Sequence, residues 1–145
     1  MAASSDGVVE VRVASRKDID AVLDLWEQAR SAAASTPDDV QSVVRLVEHT
    51  DDALLVAEQE GRVVGALVSA WDGWRGNMYR LAILPAYRRR GIARRLVEAG
   101  HESLRAKGAR RVTALVAHEE RNATGLWRAA GYHLDEDISR FVRNL

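Results

Sequence analysis

The sequence predicts a mixed α/β fold, in which an antiparallel meander of strands leads into a parallel strand–helix–strand crossover. Three observations support this. Short apolar runs alternate with polar residues as strands do, and four longer runs carry apolar residues at helical spacing. These runs follow one another in the order βααβββαβαββ. The predicted fold class is therefore α/β in the broad sense, and more specifically α+β with one mixed sheet.

Length and composition limit what the protein can be. We expect its 145 residues to form one domain, 1–145, with a disordered polar segment at 1–6. A formal net charge of zero argues against a general polyanion binder. Because no apolar run approaches the roughly 20 residues of a membrane helix, and because the start is too polar for a signal peptide, we expect a cytoplasmic protein. The chain has no cysteine, which excludes disulfides and an acetyl-cysteine intermediate, and no metal site is predicted.

The first half of the chain is predicted to contribute one strand, two helices and a hairpin. Alternating valines indicate a strand at 8–13, and Ser15-Arg16-Lys17-Asp18 is a capping box for a helix that runs to about residue 31. A second helix is expected to start at Thr36-Pro37-Asp38-Asp39, with Thr36 as its cap, and to end near residue 50. Strands at 54–57 and 62–70 flank the turn signal Glu60-Gly61.

The second half is predicted to contain the crossover. A strand at 77–84 is followed by a helix from Gly91 to about residue 107, which Gly108 ends, and by a strand at 111–117. Such a unit places its two strands parallel and is right-handed. A short helix at 122–130 and two closing strands at 132–134 and 138–142 complete the predicted order.

The basic loop before Gly91 is the strongest functional signal. Five of the eight residues from Arg88 to Arg95 are arginine. Gly91 has no Cβ, so an anion can approach the backbone, where the free N–H groups of a helix's first turn carry partial positive charge. Guanidinium groups add forked donors for phosphate oxygens. The arrangement predicts a phosphate site, while the basic run alone fits a solvated surface equally well.

The pattern Arg88-x-x-Gly91-x-Ala93, between a strand and a long helix, resembles the acyl-coenzyme A signature Gln/Arg-x-x-Gly-x-Gly/Ala of the GNAT N-acetyltransferase superfamily. The segment 126–132, Leu-Trp-Arg-Ala-Ala-Gly-Tyr, resembles the ending Leu-Tyr-x-x-x-Gly-Phe of that family's fourth helix. The predicted element order is also that of the GNAT fold. The resemblance therefore covers nearly the whole chain. The layout of the chain is similar to that of bacterial ribosomal-protein alanine N-acetyltransferases, and equally to that of small-amine and antibiotic acetyltransferases and of small uncharacterised bacterial GNAT proteins.

The resemblance implies that acetyl-CoA is the co-substrate. In the family, the backbone of the fourth strand pairs with the pantetheine arm where strands four and five splay apart. The cofactor-binding residues that it implies are Leu81, Ala82, Ile83, Arg88, Arg89, Arg90, Gly91, Ile92, Ala93, Arg94, Asn122 and Trp127. Asn122 departs from the family's spacing to the aromatic position, and an ordinary helix N-cap is its alternative role.

The resemblance leaves the general acid open, because Trp127 occupies the position where many relatives carry the tyrosine that protonates the departing thiolate. An indole N–H is not a usable acid, and a buried core role is the default for Trp127. Tyr132, Tyr79 or a water remains to supply the proton. Since a thiol has a pKa of about 8.5, immediate protonation at neutral pH gains only about 2 kcal/mol.

The general base is open as well. Asp72, at the end of the third strand, and Glu119, beside His118 and Glu120 after the fifth, are candidates. Their alternatives are a turn residue for Asp72 and an acidic first helical turn for Glu119, and a water chain without a dedicated residue is equally compatible. The backbone N–H of Ile83 is the expected donor to the oxyanion.

Together these inferences predict an acyl-CoA-dependent N-acetyltransferase that moves an acetyl group to a primary amine by direct attack in a ternary complex. A protein N-terminus, lysine, a polyamine or a small amine would fit as acceptor. One alternative is a non-catalytic acyl-CoA sensor. Another is an RNA-binding module that uses residues 88–95, beside which only Tyr87 offers a stacking surface. No membrane or nucleic-acid partner is expected, and a homodimer is compatible with the sequence.

Overall fold

The computed structural model describes residues 7–29, 38–116 and 121–145, with the backbone alone at 121–124. Its strands are β1 (Val9–Val13), β2 (Leu54–Gln59), β3 (Arg62–Trp71), β4 (Gly76–Ile83) and β5 (Val112–Ala114). Its helices are α1 (Ile19–Ala29), α2 (Val40–His49), α3 (Ile92–Ala106) and α4 (Arg121–Ala129). The predicted α/β class is confirmed. Among these helices none is long and apolar enough to cross a membrane.

The five strands form one sheet in the order β1-β2-β3-β4-β5. The first four pair antiparallel, whereas β5 lies parallel to β4. Chain order and sheet order are therefore the same, and α3 is the crossover that lets β5 enter the sheet in the same direction as β4. The sheet is mixed, as the sequence predicts.

Helices α1 and α3 both pack on β3 and β4 without extensive contact with each other, so they cover opposite faces of the sheet. The core side chains of α3, among them Leu96, Val97 and Leu104, are buried. Close packing depends on Gly100, where a Cβ atom would lie 2.6 Å from the Cε atom of Met78. The lack of a side chain at Gly100 thus brings α3 close to β4, the strand that carries the candidate site.

The two closing strands predicted at 132–134 and 138–142 are wrong, because neither segment forms a strand. Ile138, Phe141 and Val142 are 70%, 93% and 70% exposed. A strand needs a partner, and within the described residues no strand pairs with the outer edge of the three-residue β5. Apolar alternation in the sequence was therefore not sufficient to form these strands.

Helix α2 starts later than predicted. The residues expected to open it, Thr36 and Pro37, lie outside the described residues, and the helix begins at Val40. Its N-cap is Asp39, whose carboxylate accepts a hydrogen bond from the Ser42 backbone N–H at 2.8 Å. The expectation for residues 1–6 also falls outside the described ranges.

The turn before α1 is fixed by a buried carboxylate. Asp18 accepts the backbone N–H of Ser15 at 2.8 Å, as the capping box predicts, and both terminal guanidinium nitrogens of Arg12 at 2.8 and 2.9 Å. Arg12 also binds Glu58 on β2. The hydrogen bonds from Arg12, followed by those from Ser15, lower the pKa of Asp18 to about 2 despite its burial. The network ties β1, β2 and the start of α1 together.

We predict a pH dependence of stability from Asp18. Because its folded-state pKa of about 2 lies below the ordinary value of 3.8, its contribution is present above about pH 4 and is lost as the pH falls through 2. Asp18→Asn should be less stable than wild type by about 1 kcal/mol or more at pH 6, with the difference shrinking towards pH 2. Urea unfolding at several pH values measures this.

The control is Glu48→Gln, which breaks the exposed Arg16–Glu48 pair and should change stability by less than about 0.5 kcal/mol. A difference between Asp18→Asn and wild type that is the same at pH 2 and pH 6 would contradict the assignment.

Candidate active site

The central feature of the site is a gap between β4 and β5. Pairing between these strands covers only Gly76, Asn77 and Met78, and it ends where the Leu115 N–H donates to the Met78 carbonyl at 3.0 Å. On its other side, β4 remains paired with β3 as far as Ile83. From Tyr79 onward, therefore, one edge of β4 has no partner strand in the described part of the chain. This is the separation that the resemblance implies.

The backbone of Ile83 faces this gap. The N–H of Leu84 donates to the Val64 carbonyl on β3 at 2.9 Å. Because N–H and C=O directions alternate along an antiparallel strand, those of Ile83 point to the opposite edge. The Ile83 carbonyl accepts a hydrogen bond from Arg88 Nε at 3.2 Å. Its N–H group is thus directed into the gap, as expected for a donor to a ligand placed there.

The start of α3 lies just beyond the end of β4. Gly91 is the N-cap residue, with a left-handed φ of 78°, and it provides no side-chain cap. The first helical hydrogen bond runs from the Arg95 N–H to the Gly91 carbonyl at 3.1 Å. The preceding N–H groups of Ile92, Ala93 and Arg94 belong to the first turn, which has no acidic side chain. These groups form an anion cradle, and a Cβ at Gly91 would point into open space.

The arginines around the cradle are not equivalent. Arg95 donates to the Val9 carbonyl of β1 at 2.6 Å and so serves the packing of α3 on the sheet. Arg94 binds Glu98 at 3.0 Å and the Ala129 carbonyl, at the end of α4, at 3.1 Å. The sequence does not reveal this division, because the Val9 and Ala129 carbonyls lie 86 and 35 positions away along the chain.

The remaining arginines lie in the loop itself. Arg88 holds the Ile83 carbonyl, and the Arg90 guanidinium lies 5.2 Å from the centre of the Tyr87 ring. Arg89 is exposed and has a left-handed φ of 64°. These three residues bring positive charge to the open side of the cradle, which suits a pyrophosphate.

Tyr132 lies at the closed end of the gap. Its hydroxyl is 2.6 Å from His101 Nε2 and 3.6 Å from the sulfur of Met78, the last residue of β4 that pairs with β5. Burial, together with the negative charge of Glu98, raises the pKa of Tyr132 to about 12. The phenol therefore stays protonated at neutral pH. His101 was missed from the sequence, because 31 positions separate it from Tyr132.

Trp127 is part of the core. It is 5% exposed and packs edge-on against Tyr132, with 4.9 Å between ring centres. The structure thus supports the core role for Trp127 rather than a large cofactor-contacting surface. Asn122 lies in the first turn of α4, but its side chain is outside the described part. Glu119, His118 and Glu120 lie outside it as well.

Asp72 is not brought to Ile83. It lies in the turn between β3 and β4, where its carboxylate accepts the backbone N–H groups of Trp74 at 2.8 Å and Arg75 at 2.7 Å. These hydrogen bonds, of which the one from Arg75 has the larger effect, hold the pKa of Asp72 below its ordinary value. They make the carboxylate a weaker base. With about 3.3 Å per residue, the length of β4 separates this turn from Ile83 by about 23 Å. The alternative role as a turn residue accounts for Asp72.

Comparisons with known proteins agree with this geometry. The model of the acetyltransferase (GNAT) family matches residues 19–132. A curated acetyltransferase of Pectobacterium atrosepticum is 31% identical over 131 residues, which are 90% of this chain and 92% of that protein. One of Sodalis glossinidius is 30% identical over 130 residues, 90% of this chain and 91% of that protein.

A solved aminoglycoside N-acetyltransferase in complex with CoA superimposes with a TM-score of 0.76 at 18% identity, over 95% of this chain and 96% of that one. This likeness shows a shared fold. The family match and the curated relatives extend over most of the chain, including β4, the basic loop and α3. The chain therefore belongs to the acetyltransferase (GNAT) family and is an acyl-CoA-dependent N-acetyltransferase.

Proposed function

We propose that the protein binds acetyl-CoA with its pyrophosphate on the anion cradle and its pantetheine arm along the open edge of β4, and transfers the acetyl group to a primary amine. The observation that carries this proposal is that two features follow each other directly along the chain. They are the unpaired edge of β4 at Ile83 and the start of α3, which has no side-chain cap. An extended amide-bearing arm pairs with a free strand edge as another strand does. The binding residues are Leu81, Ala82, Ile83, Arg88, Arg89, Arg90, Gly91, Ile92, Ala93 and Arg94.

The proposed reaction is direct attack of the amine nitrogen on the thioester carbonyl carbon. A C–N bond forms, the C–S bond breaks, the amine loses a proton and the thiolate gains one. The Ile83 N–H, directed into the gap, stabilises the developing oxyanion, and one such donor is typically worth about 3 kcal/mol. Most of the remaining rate enhancement comes from holding the amine and the thioester close together in the orientation that the reaction needs.

Tyr132 is the acid we propose for the departing thiolate. Its raised pKa keeps it protonated, and because Met78, whose sulfur its hydroxyl contacts, lies five residues or about 16 Å of strand before Ile83, its proton would reach the thiolate along a chain of waters in the gap. His101, at 2.6 Å, orients the hydroxyl. For the base, Glu119 or a water chain stays a prediction, whereas Asp72 lies too far from Ile83 to be carried forward.

A cationic amine is the acceptor class that the surface favours. The acidic residues Asp20, Asp24 and Glu27 are exposed along α1, and Asp39 is exposed at the start of α2. Carboxylates near a site raise the local concentration of cationic substrates. The aminoglycoside N-acetyltransferase with the same fold is named for an acceptor that carries amines.

Two measurements test the function. Acetyl-CoA at about 100 times its Kd should add about 2.7 kcal/mol of stability in a thermal-shift experiment. The rate of thiol release from acetyl-CoA in the presence of a panel of primary amines should then exceed the rate without amine.

Binding of acetyl-CoA without turnover on any amine would support the alternative of an acyl-CoA sensor. Salt-sensitive RNA binding that CoA does not displace would support the RNA-binding module.

Gly91→Glu should abolish the stabilisation by acetyl-CoA, because a carboxylate would be placed at the mouth of the cradle and repel the pyrophosphate. The apo protein should lose only about 1 kcal/mol, the cost of a side chain at a left-handed φ. The matched control is Gly73→Glu, at a φ of 95° with equally open surroundings, in the turn at the opposite end of β4. An equal loss of binding in both variants would contradict the assignment of the cradle.

Tyr132→Phe should lower kcat by about tenfold to 30-fold at pH 7 with little change in the KM for acetyl-CoA, because protonation of a thiolate with a conjugate-acid pKa of about 8.5 contributes at most about 2 kcal/mol. Steady-state thiol release with the best amine of the panel measures this. Tyr79→Phe is the comparison variant, since Tyr79 is the alternative acid. A loss confined to Tyr79→Phe would transfer the role to that residue.

A further inference from the structure

Strand β4 contains a bulge three residues before Ile83. Ala66 pairs with Ala82 and Val68 with Tyr79, so Arg80 and Leu81 lie opposite the single residue Leu67. Arg80 adopts a left-handed φ of 57°, an unfavourable conformation for a residue with a side chain. Other parts of the protein must hold this conformation, because the strand alone does not favour it.

Within the part of the chain that the structure describes, three contacts hold Arg80. The indole N–H of Trp26, on α1, donates to the Arg80 carbonyl at 3.2 Å, and the Arg80 guanidinium lies 5.6 Å from the centre of the Trp26 ring. The two terminal guanidinium nitrogens bind the two carboxylate oxygens of Asp38 at 3.1 and 2.6 Å. Both the backbone and the side chain of the bulge residue are thus bound by residues outside the sheet.

These contacts are shielded from solvent. The side chains of Arg80 and Asp38 are 26% and 17% exposed, and Trp26 is 5% exposed. A forked arginine–carboxylate pair at such a site is geometrically more specific than an exposed pair. The Arg16–Glu48 pair, which joins the turn before α1 to α2, has side chains that are 74% and 45% exposed. The two pairs therefore provide a matched comparison.

We propose that Trp26, Arg80 and Asp38 form a positioning clamp that fixes the bulge of β4 and links the start of α2 to the direction of the Ile83 N–H. This inference rests on the proposed function, because it assumes that the acyl arm lies along β4. Asp38 immediately precedes the N-cap of α2, and Arg80 lies three residues before Ile83. The clamp thus joins the start of α2 to the strand that we propose binds the cofactor.

Coupling between two sites is reciprocal. If the clamp fixes the edge of β4 for the cofactor, a cofactor on that edge must in turn stabilise the clamp and with it the first turn of α2. Occupancy of the acetyl-CoA site would thereby order the start of α2. The three clamp residues act through β4 and need not touch either substrate.

Hydrogen–deuterium exchange of the full chain, with and without acetyl-CoA, tests the coupling. In wild type, acetyl-CoA should slow exchange in residues 92–97, at the cradle, and by about fivefold or more in residues 40–49 of α2. In Asp38→Asn the effect at 92–97 should persist, while the effect at 40–49 should disappear. The control Arg16→Gln, which breaks the exposed pair of α2, should behave like wild type.

A second variant, Trp26→Phe, removes only the indole N–H and keeps an aromatic ring beneath Arg80. It should weaken the effect at 40–49, lower kcat and, because the coupling is reciprocal, raise the Kd for acetyl-CoA by up to about fivefold. Retention of the full effect at 40–49 in Asp38→Asn would overturn the clamp. A wild-type protein without slowed exchange at 92–97 would contradict the proposed function itself and remove the basis of the coupling.

Discussion

The separation of β5 from β4 after Met78 is the constraint on which the rest of the site depends. A fully paired sheet would consume the N–H of Ile83 in a ladder hydrogen bond and leave no edge for an extended ligand. Because β5 is only three residues long, it pairs with one end of β4 and leaves the edge of β4 near Ile83 open. The mixed sheet thus positions a free strand edge next to the start of α3.

The arginines of the loop after β4 have two roles, because they carry its positive charge and also make contacts that fix its conformation. Arg88 holds the Ile83 carbonyl and Arg90 stacks near Tyr87, so part of the positive charge is positioned before any anion binds. Preorganised donors lose less entropy when a ligand binds than mobile ones do. The side chains of Arg94 and Arg95 instead bind backbone carbonyls of α4 and β1 and so support the helix that carries the cradle, to which Arg94 contributes its backbone N–H.

Local patterns predicted most elements correctly, and the errors have a common cause. Ser15 to Asp18 forms the predicted turn because the hydrogen bonds that close it join residues only three positions apart. Segments 132–134 and 138–142 have a strand-like pattern but no partner strand. Asp72 has the chemistry of a base, but the length of β4 holds it away from Ile83. In both cases the outcome depended on where the segment lies relative to the sheet. A local sequence pattern carries no information about that position.

The sequence by itself determined the fold class, the crossover, the glycine without a Cβ at position 91 and the concentration of arginine around it. Each of these follows from periodicity, from steric freedom at a single residue or from charge, which are properties of neighbouring residues. Only the tertiary structure decided which side chains meet. Trp26 reaches Arg80 across 54 positions and His101 reaches Tyr132 across 31, because packing two helices on opposite faces of one sheet joins residues that the sequence keeps apart.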